Sequence, residues 1–130
     1  MKNFTYFLFM IGFCLLTGCA TSQSSSNGMT YRWNGSGADV YVTEDDFHIH
    51  MPTTFPAGNE TFHITNSSNT KHNFKINGNG VEQSLPEEIP GLGSAVMNVT
   101  LTPGTYHILC PILGHADLGM RLDVTVTQGH

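Results

Sequence analysis

Short segments in which apolar and polar residues alternate follow one another along the chain from residue 40 onward. Most of their residues are β-branched or aromatic, and Gly, Pro, Asn or Ser separates one segment from the next. This pattern is typical of strands with one buried face. No stretch keeps a helical period, so the pattern predicts an all-β chain. The segments lie at residues 40–43, 47–51, 61–65, 73–76, 96–102, 105–110 and 122–127.

The strand-rich region, residues 30–130, has the size of one domain with one core, about 100 residues. Seven or eight short strands at this spacing predict a Greek-key β-sandwich. Residues 85–92 contain Pro86 and Pro90. We expect this segment to be a connection with at most one helical turn.

The chain begins with the features of an export signal. Lys2 precedes an almost entirely apolar run at residues 4–16, which is too short to cross a bilayer because a spanning helix needs about 20 residues. The sequence Leu-Thr-Gly-Cys at 16–19 resembles the bacterial lipobox. The resemblance implies that residues 1–18 are a lipoprotein signal peptide and that Cys19 is lipidated. An ordinary secretory signal is the alternative.

Residues 19–29 are small, polar and Ser-rich, a composition that behaves as a flexible chain. We therefore expect a linker that tethers the domain at residues 30–130 to a lipid on Cys19. The domain would then lie outside the cytoplasm at the cell envelope, in the periplasm or on the cell surface.

The charge of the chain excludes some partners. Its formal value is −5, and without Lys2 four basic residues stand against ten acidic ones, which gives −6. Nucleic acid and anionic membrane surfaces attract basic patches. We expect neither as a partner, whereas a basic redox protein is compatible with this charge.

Only one of the three cysteines lies in the predicted domain. Cys14 lies in the signal and Cys19 in the lipobox, so Cys110 alone is left in the domain. A single thiol in an exported protein needs a partner or a metal. His115 and Met120 follow Cys110 at intervals of five residues. Thiolate and thioether sulfur are soft ligands, and one Cys with two His and a weak axial Met forms electron-transfer copper sites.

That ligand set requires a second imidazole, for which His72 is the favoured source. Because His107 and Cys110 fall on opposite faces of the same expected strand, His107 is disfavoured. Without a metal, Cys110 is a buried thiol and Met120 fills core space; this simpler interpretation stays open. The other histidines are His48, His50, His63 and the terminal His130.

Two motifs carry a resemblance to a known family. The segment Cys-Pro-Ile-Leu-Gly-His at 110–115, continued to Met120, is similar to the ligand loop of the cupredoxins, the blue copper proteins. The sequence His-Asn-Phe at 72–74 resembles their upstream ligand motif. The spacing is closer to that of rusticyanin and auracyanin than to that of plastocyanin. The resemblance implies that Asn73 hydrogen-bonds across to the ligand loop. It also implies one copper ion with the ligands His72, Cys110, His115 and Met120.

The expected function is to carry single electrons between larger redox proteins, such as a cytochrome, reductase or oxidase, as a monomer. We do not expect an enzyme, because copper enzymes connect the blue copper to a second centre through histidines beside the cysteine, whereas Leu109 and Pro111 flank Cys110. Partners are expected to dock near His115 on an apolar rim, although the same side chains are also explained as loop packing. The rim residues are Ile112, Leu113, Ala116, Leu118 and Leu92.

The sequence His-Ile-His-Met at 48–51 supports an alternative function, a periplasmic copper carrier or resistance protein with a second metal site. On a strand, however, His48 and His50 share one face and Met51 takes the other. A solvated strand face with Met51 in the core is therefore the simpler interpretation, and both stay open.

Overall fold

The structure, a computed structural model, describes residues 23–26 and 29–129. Eleven strands in these residues form two sheets, and no α-helix occurs among them. The strands are β1 (Gln23–Ser26), β2 (Met29–Trp33), β3 (Ala38–Asp45), β4 (His48–His50), β5 (Thr54–Pro56), β6 (Gly58–Asn66), β7 (Lys75–Gly78), β8 (Val81–Ser84), β9 (Ser94–Leu101), β10 (Gly104–Leu109) and β11 (Arg121–Thr127).

The first sheet has the strand order β1-β2-β3-β6-β9, with β4 paired to β3, and the second has the order β5-β11-β10-β7-β8. The pairs β3–β6 and β5–β11 are parallel, and the other pairs are antiparallel. Parallel neighbours cannot be joined by a tight hairpin, so the chain crosses between the sheets. The predicted all-β sandwich is confirmed.

The structure contains more strands than the seven or eight predicted. Strands β1, β2, β5 and β8 lie outside the alternating segments, and β1, β5 and β8 are edges of their sheets. Edge strands in proteins are often very short and carry polar residues. Their pairing is made by the backbone, which leaves little signal in the side-chain pattern.

The core lies between the two sheets. The ring of Phe62 contacts those of Phe55 and Phe74, with centroids 5.9 and 5.3 Å apart. On β10, Tyr106 and Ile108 are buried while His107 is exposed, as predicted. Cys110 continues the buried face of β10, so the register of this strand aims its thiol into the sandwich.

The two ends of the sandwich have different contents. We call the end with residues 110–120 the loop end, and the end with residues 101–104 the opposite end. At the opposite end, the Tyr106 hydroxyl donates to the carbonyl oxygen of Thr102 at 2.9 Å and accepts from its N–H at 3.2 Å. Glu60, also at this end, is only 1% exposed, and its Oε2 accepts from the Ala38 N–H at 2.6 Å.

The N-terminal predictions are only partly within the described residues. The predicted signal peptide, residues 1–18, and Cys19 lie outside them. In the predicted linker, 19–29, the segment Gln23–Ser26 pairs with β2. Backbone pairing needs no apolar side chains, so this Ser-rich segment carried no strand signal. In the described part of the chain, no helix has the length and hydrophobicity that a bilayer crossing requires.

Candidate metal centre

The loop between β10 and β11 is closed at its own base. The N–H of Cys110 donates to the carbonyl oxygen of Met120 at 3.0 Å, so the first and last residues of the loop are adjacent. Inside the loop, the Met120 N–H donates to the carbonyl oxygen of His115 at 3.1 Å. Gly114 and Gly119 have φ values of 84° and 115°, which L-residues with a side chain rarely adopt. These turns fold the loop back over the end of the sandwich.

His72 reaches the loop end from another part of the chain. It lies in the connection between β6 and β7, outside the regular strands; β7 begins three residues later. Its position is instead fixed by a single bridge to Ile89, with hydrogen bonds in both directions of 3.1 and 2.7 Å. The predicted connection at residues 85–92 thus holds His72 in place.

Three of the predicted ligand residues converge. His72 Nδ1 lies 3.3 Å from His115 Nδ1, and Cys110 Sγ lies 3.6 Å from the same nitrogen. One donor atom from each residue lies within 4.8 Å of the other two, and no other group of three His, Cys, Asp or Glu residues in the described chain does so. His72 and Cys110 are fully buried and His115 is partly buried. Two imidazoles and one thiol in this arrangement fit a trigonal copper site.

The protonation states suit a metal ion. Burial lowers the pKa of His72, and the neighbouring His115 lowers it further, so His72 is held in the neutral form that binds metals. Burial raises the pKa of the Cys110 thiol, against the opposing effect of hydrogen bonds from the Ile112 and Asn73 amides. The thiol therefore keeps its proton until a cation replaces it.

Met120 and Asn73 both lie at the loop end. Met120 is fully buried at the base of the loop, where its backbone contacts Cys110 and His115. The backbone N–H of Asn73 points to Cys110 Sγ at 3.4 Å. The Asn73 side chain does not reach the ligand loop: its Nδ2 lies 3.4 Å from the carbonyl oxygens of Leu85 and Glu87. The expected hydrogen bond across to the loop thus comes from the Asn73 backbone.

Sequence reasoning missed the residues that orient His72. Ser68 Oγ lies 3.0 Å from His72 Nε2, and it also lies 2.9 Å from Asn66 Oδ1. When Ser68 donates to Asn66, it accepts the Nε2–H of His72, and the lone pair of His72 Nδ1 then faces His115 and Cys110. Metal-binding histidines are usually oriented by such a bond from the other ring nitrogen. The only signal in the sequence was the Asn-Ser-Ser-Asn turn after β6.

Phe47 is a second residue that sequence reasoning did not assign to the site. Its ring stands edge-on to that of His115, with centroids 5.1 Å apart and an interplanar angle of 89°. It lies in the turn between β3 and β4 with φ at 64°, an uncommon conformation for an aromatic residue. The turn thereby places the Phe47 ring against the ring of His115.

Glu44 is the third residue that was missed. It is fully buried on the inward face of β3, and neither carboxylate oxygen has a hydrogen-bond partner among the described residues. Burial raises its pKa to about 8, and its proximity also raises the pKa of Cys110. The alternation that buries Val40 and Val42 also places Glu44 inward, and this was the available signal.

The apolar rim around His115 is exposed in part. Leu113 is 98% exposed, Leu92 71% and Leu118 62%, whereas Ile112 and Ala116 are partly buried. Exposure of this size at Leu113 does not fit the alternative interpretation in which this side chain packs the loop. The rim is therefore an apolar surface next to the metal centre.

The remaining histidines stay outside the cluster. His48 and His50 are exposed on β4, while Met51 is only 2% exposed and lies in the core. Met51 therefore does not join the two histidines, which removes the sulfur donor that motivated a copper carrier. His63 contacts Asp39, and His107 contacts Asp123.

Known proteins share the fold. Rusticyanin from Thiobacillus ferrooxidans superimposes with a TM-score of 0.62 at 19% identity over 82% of this chain and 87% of that chain. Reduced auracyanin from Roseiflexus castenholzii gives 0.57 at 18% identity over 67% and 94%, and auracyanin B gives 0.57 at 21% over 83% and 99%. The chain has the cupredoxin fold. The resemblance drawn from the ligand loop is thus confirmed.

One family model matches the C-terminal part of the chain. The model described as the sulfocyanin (SoxE) domain matches residues 89–129, which include the loop from Cys110 to Met120 but not His72. No curated protein matches the sequence.

Proposed function

We propose that this chain is a mononuclear type 1 copper protein that carries single electrons. The observation that carries the proposal is the convergence of two imidazole nitrogens and one thiol sulfur at a buried point of a cupredoxin fold. The ion would be held by His72, Cys110, His115 and Met120. Copper supplies one-electron chemistry with this ligand set.

The protein residues contribute a fixed geometry. Cys110 and Met120 are joined by a backbone hydrogen bond, and Ser68 holds the His72 ring. Because both flanking strands are paired in a sheet, the donors have little freedom to move when the charge of the ion changes. A small structural change between oxidation states favours rapid electron transfer.

The proposal extends to the partners and the location. His115 is the least buried of the three converging ligands and is surrounded by the apolar rim, which gives a redox protein of the cytochrome, reductase or oxidase class a surface on which to dock. Cys19 would carry a lipid that anchors the chain to a membrane at the cell envelope.

The copper assignment is tested by visible spectroscopy. We expect the copper-loaded protein to show an intense thiolate-to-copper charge-transfer band that Cys110→Ala abolishes. His107→Ala is the matched control, because His107 lies on β10 beside the loop but points outward, and its band should be unchanged. A colourless cupric complex of the unmodified protein with undiminished affinity would reject the assignment.

The anchor is tested separately by cell fractionation. We expect the full chain to be found with membranes and Cys19→Ser to be released or retained with an uncleaved signal, in either case without lipid by mass spectrometry. A blue band of unchanged intensity in the released protein is the control for folding. An unmodified Cys19 in the membrane-bound wild-type protein would contradict the lipid anchor.

A further inference from the structure

Histidine and aspartate side chains contact one another at three places in the described chain, and one of these differs from the others. Asp39 contacts His63 and Asp123 contacts His107, each with a single imidazole. Asp45 contacts two: its Oδ2 lies 2.8 Å from His50 Nε2, and its Oδ1 lies 3.4 Å from His48 Nδ1. Asp45 is thus placed between two imidazoles.

The hairpin of β3 and β4 produces this arrangement. Asp45 pairs with His48 in the register of the two strands, and His48 and His50 share one face of β4 because they are two residues apart. Their rings lie 6.1 Å apart at an interplanar angle of 26°. The side chains are 69%, 46% and 42% exposed for His48, His50 and Asp45, although the Oδ1 atom of Asp45 is itself buried and has no hydrogen-bond partner among the described residues.

The hydrogen bonds of His48 leave one ring nitrogen free. His48 Nδ1 lies 2.9 Å from the carbonyl oxygen of Asp46. A carbonyl only accepts, so Nδ1 carries the hydrogen, and Nε2 of the neutral ring keeps its lone pair.

The donor set differs from the one expected from sequence. Met51 is buried in the core, so no sulfur is available and Asp45 provides an oxygen in its place. Imidazole and carboxylate donors favour borderline divalent cations such as Zn²⁺ and Cu²⁺ over the softer Cu⁺.

We propose that Asp45, His48 and His50 form a surface site for a borderline divalent cation, separate from the metal centre. His50 Nε2 and Asp45 Oδ2 lie 2.8 Å apart, the separation of a hydrogen bond, and a small increase would let both bind one ion at about 2.0–2.2 Å. The donor atoms of the three residues do not yet meet at one point, and the exposed His48 ring would complete the site by turning away from the Asp46 carbonyl. The turn that joins these residues also carries Phe47, whose ring contacts His115, so the site adjoins the rim of the metal centre.

The proposal is tested by calorimetric titration of Zn²⁺ into the copper-loaded full chain. One Zn²⁺ per chain is expected, and His48→Ala, His50→Ala and Asp45→Asn should each weaken binding at least about tenfold. His107→Ala removes an exposed histidine that also contacts an aspartate and is the matched control; its Zn²⁺ affinity should be unchanged. Absence of Zn²⁺ binding, or equal affinity in His50→Ala and the wild type, would overturn the proposal.

A second variant separates this site from the copper centre. In Cys110→Ala/His115→Ala the donor cluster of the loop is removed, and one Zn²⁺ should still bind, with amide chemical shifts changing on β4. Loss of Zn²⁺ binding in this folded variant would assign the ion to the loop and refute the surface site. A missing blue band in the wild type together with retained Zn²⁺ binding would instead reject only the proposed electron carrier.

Discussion

The loop end and the opposite end of the sandwich each bury one glutamate, and they accommodate it differently. At the opposite end, Oε2 of Glu60 accepts a hydrogen bond from the Ala38 N–H at 2.6 Å, and burial raises its pKa to about 7. At the loop end, neither oxygen of Glu44 has a partner among the described residues, and burial raises its pKa to about 8. Glu44 pairs with Asn66, so the two carboxyl groups lie about 20 Å apart along the strands.

The two ends differ in how well their buried polar groups are hydrogen-bonded, and therefore in their stability. At the opposite end, backbone groups bond the Tyr106 hydroxyl and one carboxyl oxygen of Glu60, and only Glu60 Oε1 has no partner among the described residues. At the loop end, buried donors and acceptors face one another across the site, and Glu44 lies unpaired beside them. Unsatisfied buried polar groups cost free energy, so the loop end is the less stable part of the metal-free molecule, and an ion bound there would stabilise it.

The largest expected effect concerns the pH dependence of stability. The folded chain keeps the Glu44 proton from its ordinary pKa of 4.5 up to about 8, whereas the unfolded chain releases it above 4.5. The free energy of unfolding of the metal-free protein therefore falls as pH rises through this window and levels off above it. Urea unfolding at several pH values should show a fall to which Glu44 contributes up to about 5 kcal/mol, and Glu44→Gln should remove this contribution.

Glu60→Gln provides the comparison for this measurement. Burial raises the pKa of Glu60 to about 7. Glu60 therefore lowers the free energy of unfolding only between pH 4.5 and pH 7, by up to about 3 kcal/mol. A stability profile that Glu60→Gln flattens as much as Glu44→Gln would remove the distinction between the two ends.

An intermediate effect is expected for Tyr106→Phe at the opposite end. Loss of the hydroxyl removes both of its hydrogen bonds with the Thr102 backbone, which should lower the free energy of unfolding by about 1–3 kcal/mol. The absorption band and copper affinity should not change.

Ser68→Ala is the matched variant at the loop end: because Ser68 orients His72, it should lower copper affinity by about 10–100-fold. Equal copper affinities in the two variants would contradict this division.

The smallest effect on stability is expected at the rim. Leu113 is 98% exposed, so Leu113→Ser should change the free energy of unfolding by no more than about 0.5 kcal/mol. If partners dock at the rim, the same variant should slow second-order electron exchange with a redox protein, measured by stopped-flow absorbance. Val96→Ser replaces another exposed side chain, 55% exposed on β9, and should leave the rate unchanged; equal rates for all three proteins would argue against docking at the rim.

Much of the fold was predictable because its central strands alternate clearly. The face assignment on β10, with Tyr106 and Ile108 inward and His107 outward, followed from the two-residue period alone and is confirmed. Strands β5 and β8 were not predicted, because short edge strands depend on backbone pairing with neighbours that are distant in sequence.

The candidate site was predictable where its residues are close in sequence. Cys110, His115 and Met120 lie in one loop, and their donor types indicated a metal. The contacts of Phe47 with His115 and of Ser68 with His72 join separate parts of the chain, and neither residue type indicates such a role. Asp45, rather than Met51, lies beside His48 and His50. This could be predicted only from the register of the hairpin, which places Asp45 opposite His48.

The backbone hydrogen bond from Cys110 to Met120 makes the loop a self-contained module. Since its two ends meet independently of what lies between them, residues can be inserted or deleted inside it while β10 and β11 keep their register. A change in loop length would then alter the surroundings of the ion without altering the two sheets. The same β-sandwich could in this way hold metal centres with different reduction potentials.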